Sequence, residues 1–231
     1  MDYLLLFKSH ADRIAALSRL GQIGLEGLRV SVVDANSKFA RLYREMSLHI
    51  PESHGRHREI VDDGYRVVGF MDSLTLLSTI SEVEAYFHDI VVGVLSNYPN
   101  KIGKQSWDAR DVLLSESMDE FKTRMAVRYA SEMMFKRPSD YKKDISLVLS
   151  ADDDLFGREW NTFVEAKARR DLGVHSGWRI NDVYRAKVRD VGLELPCEQV
   201  LSVDHDYMNN VRRSCIELMA RMAHHCSEKF S

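Results

Sequence analysis

Glycine and proline are scarce in this chain: 12 and 4 among 231 residues. These residues punctuate hairpins, loops and disordered segments. A chain with so few of them is poorly suited to a β-rich or disordered state and favours long helices joined by few loops. The length fits one domain, or a domain with an appendage, and buries a core without covalent staples. The 35 acidic and 32 basic residues give a net charge of −3. That excludes a globally basic nucleic-acid coat, so contact with a polyanion has to come from a local patch. Cys197, Cys215 and Cys226 are widely spaced, and no CxxC pair exists. This fits free thiols in a reducing compartment better than a disulfide framework or a zinc ribbon. The apolar run near the start is too short for a signal peptide, and no stretch approaches the ~20 apolar residues of a membrane span. The expectation is a soluble, cytoplasmic protein with no membrane partner.

Hydrophobic periodicity organises the chain into helices. Residues 3–20 predict an amphipathic helix with Leu6, Ile14, Leu17 and Leu20 on one face. Gly21, Gly24 and Gly27 loosen the next stretch, and a second helix is expected over 28–47. Residues 49–64 are polar and contain Pro51, Gly55 and Gly64, so they predict a loop and a boundary. That divides the chain into an N-terminal helical extension, 1–60, and a helical domain, 65–231. A central buried helix is expected over 67–98, with Leu77, Ile80, Val83, Phe87, Ile90, Val91 and Val94 as its stripe and Pro99 as its stop. Further helices are expected over 116–136, ended by Pro138, and over 141–149, 158–174, 181–188 and 204–226. The fold class is all-α, a helical bundle with an extra N-terminal helical segment.

The chemistry concentrates in residues 158–189, where eight basic side chains face four acidic ones in a protein whose total is negative. Such a segment can attract phosphate. Within it, Arg170 and His175 would sit roughly 140° apart on a continuous helix. Asp171 and His175 stand at i and i+4, where a carboxylate can orient an imidazole. Gly173 and Gly177 place the helix end near His175, and a helix C-terminus favours a positive charge. The pieces are a histidine for proton transfer, a guanidinium for phosphate and an aspartate to hold the ring. Two copies facing one another would bracket a phosphodiester better than one. On spacing alone, a helix-ending Asp171–His175 hydrogen bond with solvated arginines explains the same letters.

The string ARRDLGVHSGWRINDVYRAKV resembles the signature region of the HEPN superfamily, the higher eukaryotes and prokaryotes nucleotide-binding families. It is most similar to the bacterial branch that reads RRN-x-x-VH-N-G-x-x-N-x-x-Y. The matching residues are Arg169, Arg170, Asp171, Val174, His175, Gly177, Asn181 and Tyr184. The family's R-x₄₋₆-H falls on Arg170 and His175. Residues 81–99 look like its first core helix, and the first 60 residues carry no resemblance. Ser176 and Trp178 depart from the commoner residues, and Gly177 stands where tyrosine-modified members have Tyr.

The resemblance implies a HEPN-type bundle that dimerises with its motifs face to face. It implies a metal-independent endoribonuclease that uses the ribose 2′-OH to leave a 2′,3′-cyclic phosphate and a 5′-OH. Toxins and phage-defence effectors are its usual settings, with an antitoxin or regulatory protein as partner. Under it, His175 is the general acid/base, Arg170 stabilises charge on the phosphate and Asp171 positions His175. Arg169, Lys167 and Arg179 hold neighbouring phosphates. The competing readings are an Arg169–Glu165 ion pair at i, i+4 and a solvated Arg179. Asn181 is expected to cap the next helix and Tyr184 to lie in the core. A non-catalytic module binding RNA or a partner protein is the alternative function.

Other constellations carry less. His49, His54 and His57 with Glu52 and Glu59 lack the i, i+4 spacing of a helical metal site, and a solvated linker accounts for them. Asp152 to Asp154 fit helix capping better than Mg²⁺. His224 to Cys226 are expected to fray. No motif calls for a metal or cofactor.

Overall fold

The computed structural model describes residues 1–33, 56–102 and 109–230. Eight α-helices run through these residues: α1 Tyr3–Val33, α2 Arg56–Asn97, α3 Ala109–Leu113, α4 Met118–Met133, α5 Pro138–Leu149, α6 Glu159–His175, α7 Asp182–Asp190 and α8 His205–Lys229. The fold is all-α. Among the described residues the only β-type pairing is an isolated bridge between Arg179 and Val200. No described helix is long and apolar enough to cross a membrane.

The bundle is built around α2. Leu76, Ile80, Val83, Phe87, Ile90, Val91 and Val94 are buried on it, so the expected stripe is present with Leu76 in place of Leu77. Phe87 is the hub of an aromatic cluster. It stacks on Trp160 at 6.2 Å, meets Phe163 edge-on at 5.0 Å and Tyr141 at 6.3 Å. These contacts fix α5 and α6 against α2. The Tyr86 hydroxyl donates to the Met219 carbonyl at 2.9 Å and ties α2 to α8. On α8, Val211, Cys215, Leu218 and Met222 are buried, and Tyr207 is partly buried. Burial pushes the Cys215 and Cys226 thiols up to about 12, so both stay protonated and unreactive.

Several expectations are corrected. Helix α1 runs on through Gly21, Gly24 and Gly27 to Val33. A helical glycine costs only about 1 kcal/mol relative to alanine, which tertiary packing overrides. Leu20 is 64% exposed, and the buried side of α1 is carried by Tyr3, His10 and Ile14. Helix α2 begins at Arg56, so residues 56–64 are helical instead of a loop. The rest of the expected 28–47 helix and 49–64 loop lies outside the described residues, as do His49, Glu52 and His54. Pro138 starts α5 instead of ending α4, since its missing N–H is harmless at a helix N-terminus. Asp152 makes no side-chain cap bond, and Arg158 stands at the α6 N-cap position. The end of α8 is docked and does not fray. Phe230 packs near Tyr98 at 5.2 Å, and His225 meets the Leu149 carbonyl at 2.9 Å.

Candidate active site on the C-terminal half of α6

Helix α6 is amphipathic in three directions. Trp160, Phe163, Val164, Ala168 and Leu172 are buried, and polar side chains leave on either side of that apolar stripe. The consecutive arginines diverge. Arg169 turns towards α7 and α8. Its Nε donates to Glu165 at 2.8 Å, its Nη1 donates to the Ser202 carbonyl at 2.9 Å, and its guanidinium lies 4.0 Å from the centre of the Tyr207 ring. Glu165 also accepts from the Tyr184 and Tyr207 hydroxyls, at 2.8 and 2.6 Å. Burial first, then the nearby Glu165 charge, holds both phenols well above the ordinary tyrosine range. Arg169 is therefore a largely buried structural cation, and the Glu165 pairing is the arrangement adopted.

Arg170 turns the other way, towards α2. Its Nη2 donates to Glu84 at 2.6 Å, and its Nε lies 3.1 Å from Asp171 Oδ1 in a geometry that leaves Nε without a hydrogen bond. Lys167 binds the other oxygen of Glu84 and reaches the Met134 carbonyl at 3.3 Å. Glu84 is thus a largely buried carboxylate shared by two cations. Lys187 on α7 donates to Asp171 Oδ2 at 2.9 Å.

Lys167, Arg170, Asp171 and His175 line one groove of about 730 Å³ together with Glu84, Lys136, Tyr141 and Lys187. The groove runs between α5, α6, α7 and the turn after α4. Although Arg170 and His175 diverge on the helix, the groove is wide enough to take both. His175 is the last residue of α6 and is exposed. Asp171 does not reach it. Among the described residues, Asp171 pairs with Lys187 and Arg170, and His175 has no hydrogen-bond or ion-pair partner. A fixed ammonium is a stronger partner for a carboxylate than an exposed imidazole. Arg179 is exposed outside the groove. The eight basic residues of 158–189 therefore do not form one patch, and only Lys167, Arg170 and Lys187 of them line the groove.

The turn after His175 is held by Trp178. Gly177 and Trp178 both take positive φ, 53° and 65°. The Trp178 N–H donates to the Leu172 carbonyl at 3.1 Å, and its carbonyl accepts from Leu201 at 3.0 Å. Its indole lies on Gly173, where an added Cβ would be 2.5 Å from the ring. We expect Gly173→Ala to force the indole off the helix and lower stability by about 1–2 kcal/mol, overpacking outweighing the gain in helix propensity. Thermal unfolding measures the loss, and an unchanged Tm would mean the ring is not held there.

Asn181 caps α7 as expected, accepting from the Tyr184 N–H at 2.9 Å, and its amide donates to Ser176 at 3.0 Å. Tyr184 is 2% exposed. Sequence reading missed Glu84, Tyr141 and the role of Lys187. Glu84 had a signal: it stands four residues after Ile80 and three before Phe87, on the buried stripe of α2, where a charge needs a partner. Among the described residues no group of three or more His, Cys, Asp or Glu is placed to hold a metal ion. Comparison with protein families, curated proteins and solved structures returns no match.

Proposed function

We propose that the chain is a HEPN-type, metal-independent endoribonuclease that works as a homodimer with a composite active site. The observation that carries this is the shared groove: Arg170 and His175, the two motif residues, line it beside Lys167 and Lys187. Arg170 and Lys167 supply fixed positive charge where a phosphodiester would develop negative charge. His175, exposed among the lining residues, would exchange a proton with the 2′-OH or the 5′-leaving oxygen. Glu84 and Asp171 balance these cations, and a phosphate would compete with them. The 2′-OH is the nucleophile, so no activated water is needed. The family resemblance adds a role as a cytoplasmic toxin or phage-defence effector, held by an antitoxin or regulatory protein.

One observation favours the second reading, a non-catalytic module binding RNA or a protein. Asp171 is engaged by Lys187, so among the described residues no carboxylate orients His175. Incubation with mixed RNA in excess EDTA decides between them. The ribonuclease gives fragments with 2′,3′-cyclic phosphate and 5′-OH ends at a rate unaffected by chelation. RNA binding without cleavage would establish the module instead.

A further inference from the structure

We propose that Phe135 is a stacking platform for a nucleobase, so that the groove takes single-stranded RNA in preference to duplex; this deepens, and rests on, the RNA reading above. Phe135 is 91% exposed, the highest value among the large hydrophobic side chains described. It sits in the short connection between α4 and α5, flanked by buried Met133 and Pro138. Backbone bonds from Phe135 to Glu132 at 3.3 Å and from Lys136 to Met133 at 3.1 Å close the turn. The ring is therefore carried by a fixed turn, and it lines the same groove as Lys136, Lys167 and Arg170.

The groove floor points to a ligand independently of that ring. The Tyr141 hydroxyl, on a side chain 3% exposed, is buried without a hydrogen-bond partner among the described residues. A buried hydroxyl left unpaired is costly, and a phosphate or ribose oxygen entering the groove that Tyr141 lines would satisfy it. Lys136 is paired with Asp144 at 2.6 Å, and the remaining Lys167, Arg170 and Lys187 against Glu84 and Asp171 leave the lining with an excess positive charge that favours an anion. An anionic floor ligand beside an aromatic rim matches one nucleotide unit, backbone below and base above. Stacking on an aromatic ring tolerates any base, because each has a π-face. A duplex keeps its bases in its own stack and cannot offer one to Phe135.

The test uses the full chain and a labelled 2′-O-methyl RNA oligonucleotide, which lacks the 2′-OH needed for cleavage. Binding is read by fluorescence anisotropy, single strand against duplex, at fixed salt. Phe135→Ala should weaken the single strand roughly tenfold, with Phe135→Trp restoring it, and leave the weaker duplex binding and the salt dependence unchanged. Wild-type affinity of Phe135→Ala for the single strand, while Arg170→Ala binds less well, would overturn the platform and leave the RNA site standing. So would equal losses for single strand and duplex. A dimer that dissociates in Phe135→Ala with unchanged RNA affinity would assign the ring to a second copy and overturn the proposal. No RNA bound or cleaved by the wild type would remove the RNA reading, and this proposal with it.

Discussion

A Glu165→Ala protein is expected to lose about 3–5 kcal/mol of stability, the largest structural effect of any single substitution considered. Glu165 is 14% exposed and accepts from three groups at once: Arg169, Tyr184 and Tyr207. Removing it strands a guanidinium that is itself only 15% exposed and orphans two phenolic hydroxyls. Unpaired buried charge, more than lost attraction, sets the cost. At about 2–4 °C per kcal/mol for a chain of this size, Tm should fall by roughly 10 °C. Glu165→Gln keeps one acceptor oxygen and should cost less. Pairing Glu165→Ala with Arg169→Met removes the stranded charge, so the double variant should lose less than its singles combined. Additive losses, or a single-variant loss below about 0.5 kcal/mol, would show that the network is solvated and not structural.

That prediction assigns opposite duties to neighbouring residues, and this division was only partly legible in the sequence. The i, i+4 spacing made the Arg169–Glu165 pair visible beforehand, but not the Tyr207 ring and Ser202 carbonyl, which come from residues 38 and 33 positions away. Local spacing predicts contacts within a helix and says nothing about rivals from other elements. The expected Asp171–His175 contact failed for that reason, because Lys187 arrives from α7 and takes the carboxylate. The partners of Glu84 were out of reach for the same reason, Lys167 lying 83 residues away and Arg170 86, although its place on the buried stripe of α2 marked it as needing one. The helices themselves were legible wherever apolar spacing recurred over several turns, as on α2, α6 and α8. Element ends read from glycine or proline were less secure. Gly21 to Gly27 lie inside α1, Gly64 lies inside α2 and Pro138 opens α5. A breaker residue states a local preference of about 1 kcal/mol for glycine, or none at a helix start for proline.

The second large effect is on catalysis. His175→Ala should slow RNA cleavage by about 10²–10⁴, the range for losing a general acid/base. Arg170→Ala should slow it by about 10²–10³, as when one group stabilising transition-state charge is removed. Their stability costs differ, because the side chains sit differently. His175 is exposed at a helix end, so its removal should stay within about 0.5 kcal/mol. Arg170 leaves Glu84 behind, but Lys167 still holds that carboxylate, so the loss should be below the about 3–5 kcal/mol of a fully stranded charge. Under the proposed mechanism the two residues serve one phosphodiester and act as a unit, so the double variant should be no slower than about the slower single. Arg170→Lys keeps the charge but loses the planar fork between Glu84 and Asp171, and should not restore the rate. Arg179→Ala is the control: it lies outside the groove and should cleave at nearly the wild-type rate. Single-turnover cleavage of a labelled RNA in EDTA reads all of these. If His175→Ala and Arg170→Ala cleave within a few-fold of the wild type, the groove is not the catalytic site. A rate that falls only with RNA affinity would instead identify it as a binding site, because a transition-state role must lower the rate at saturating RNA.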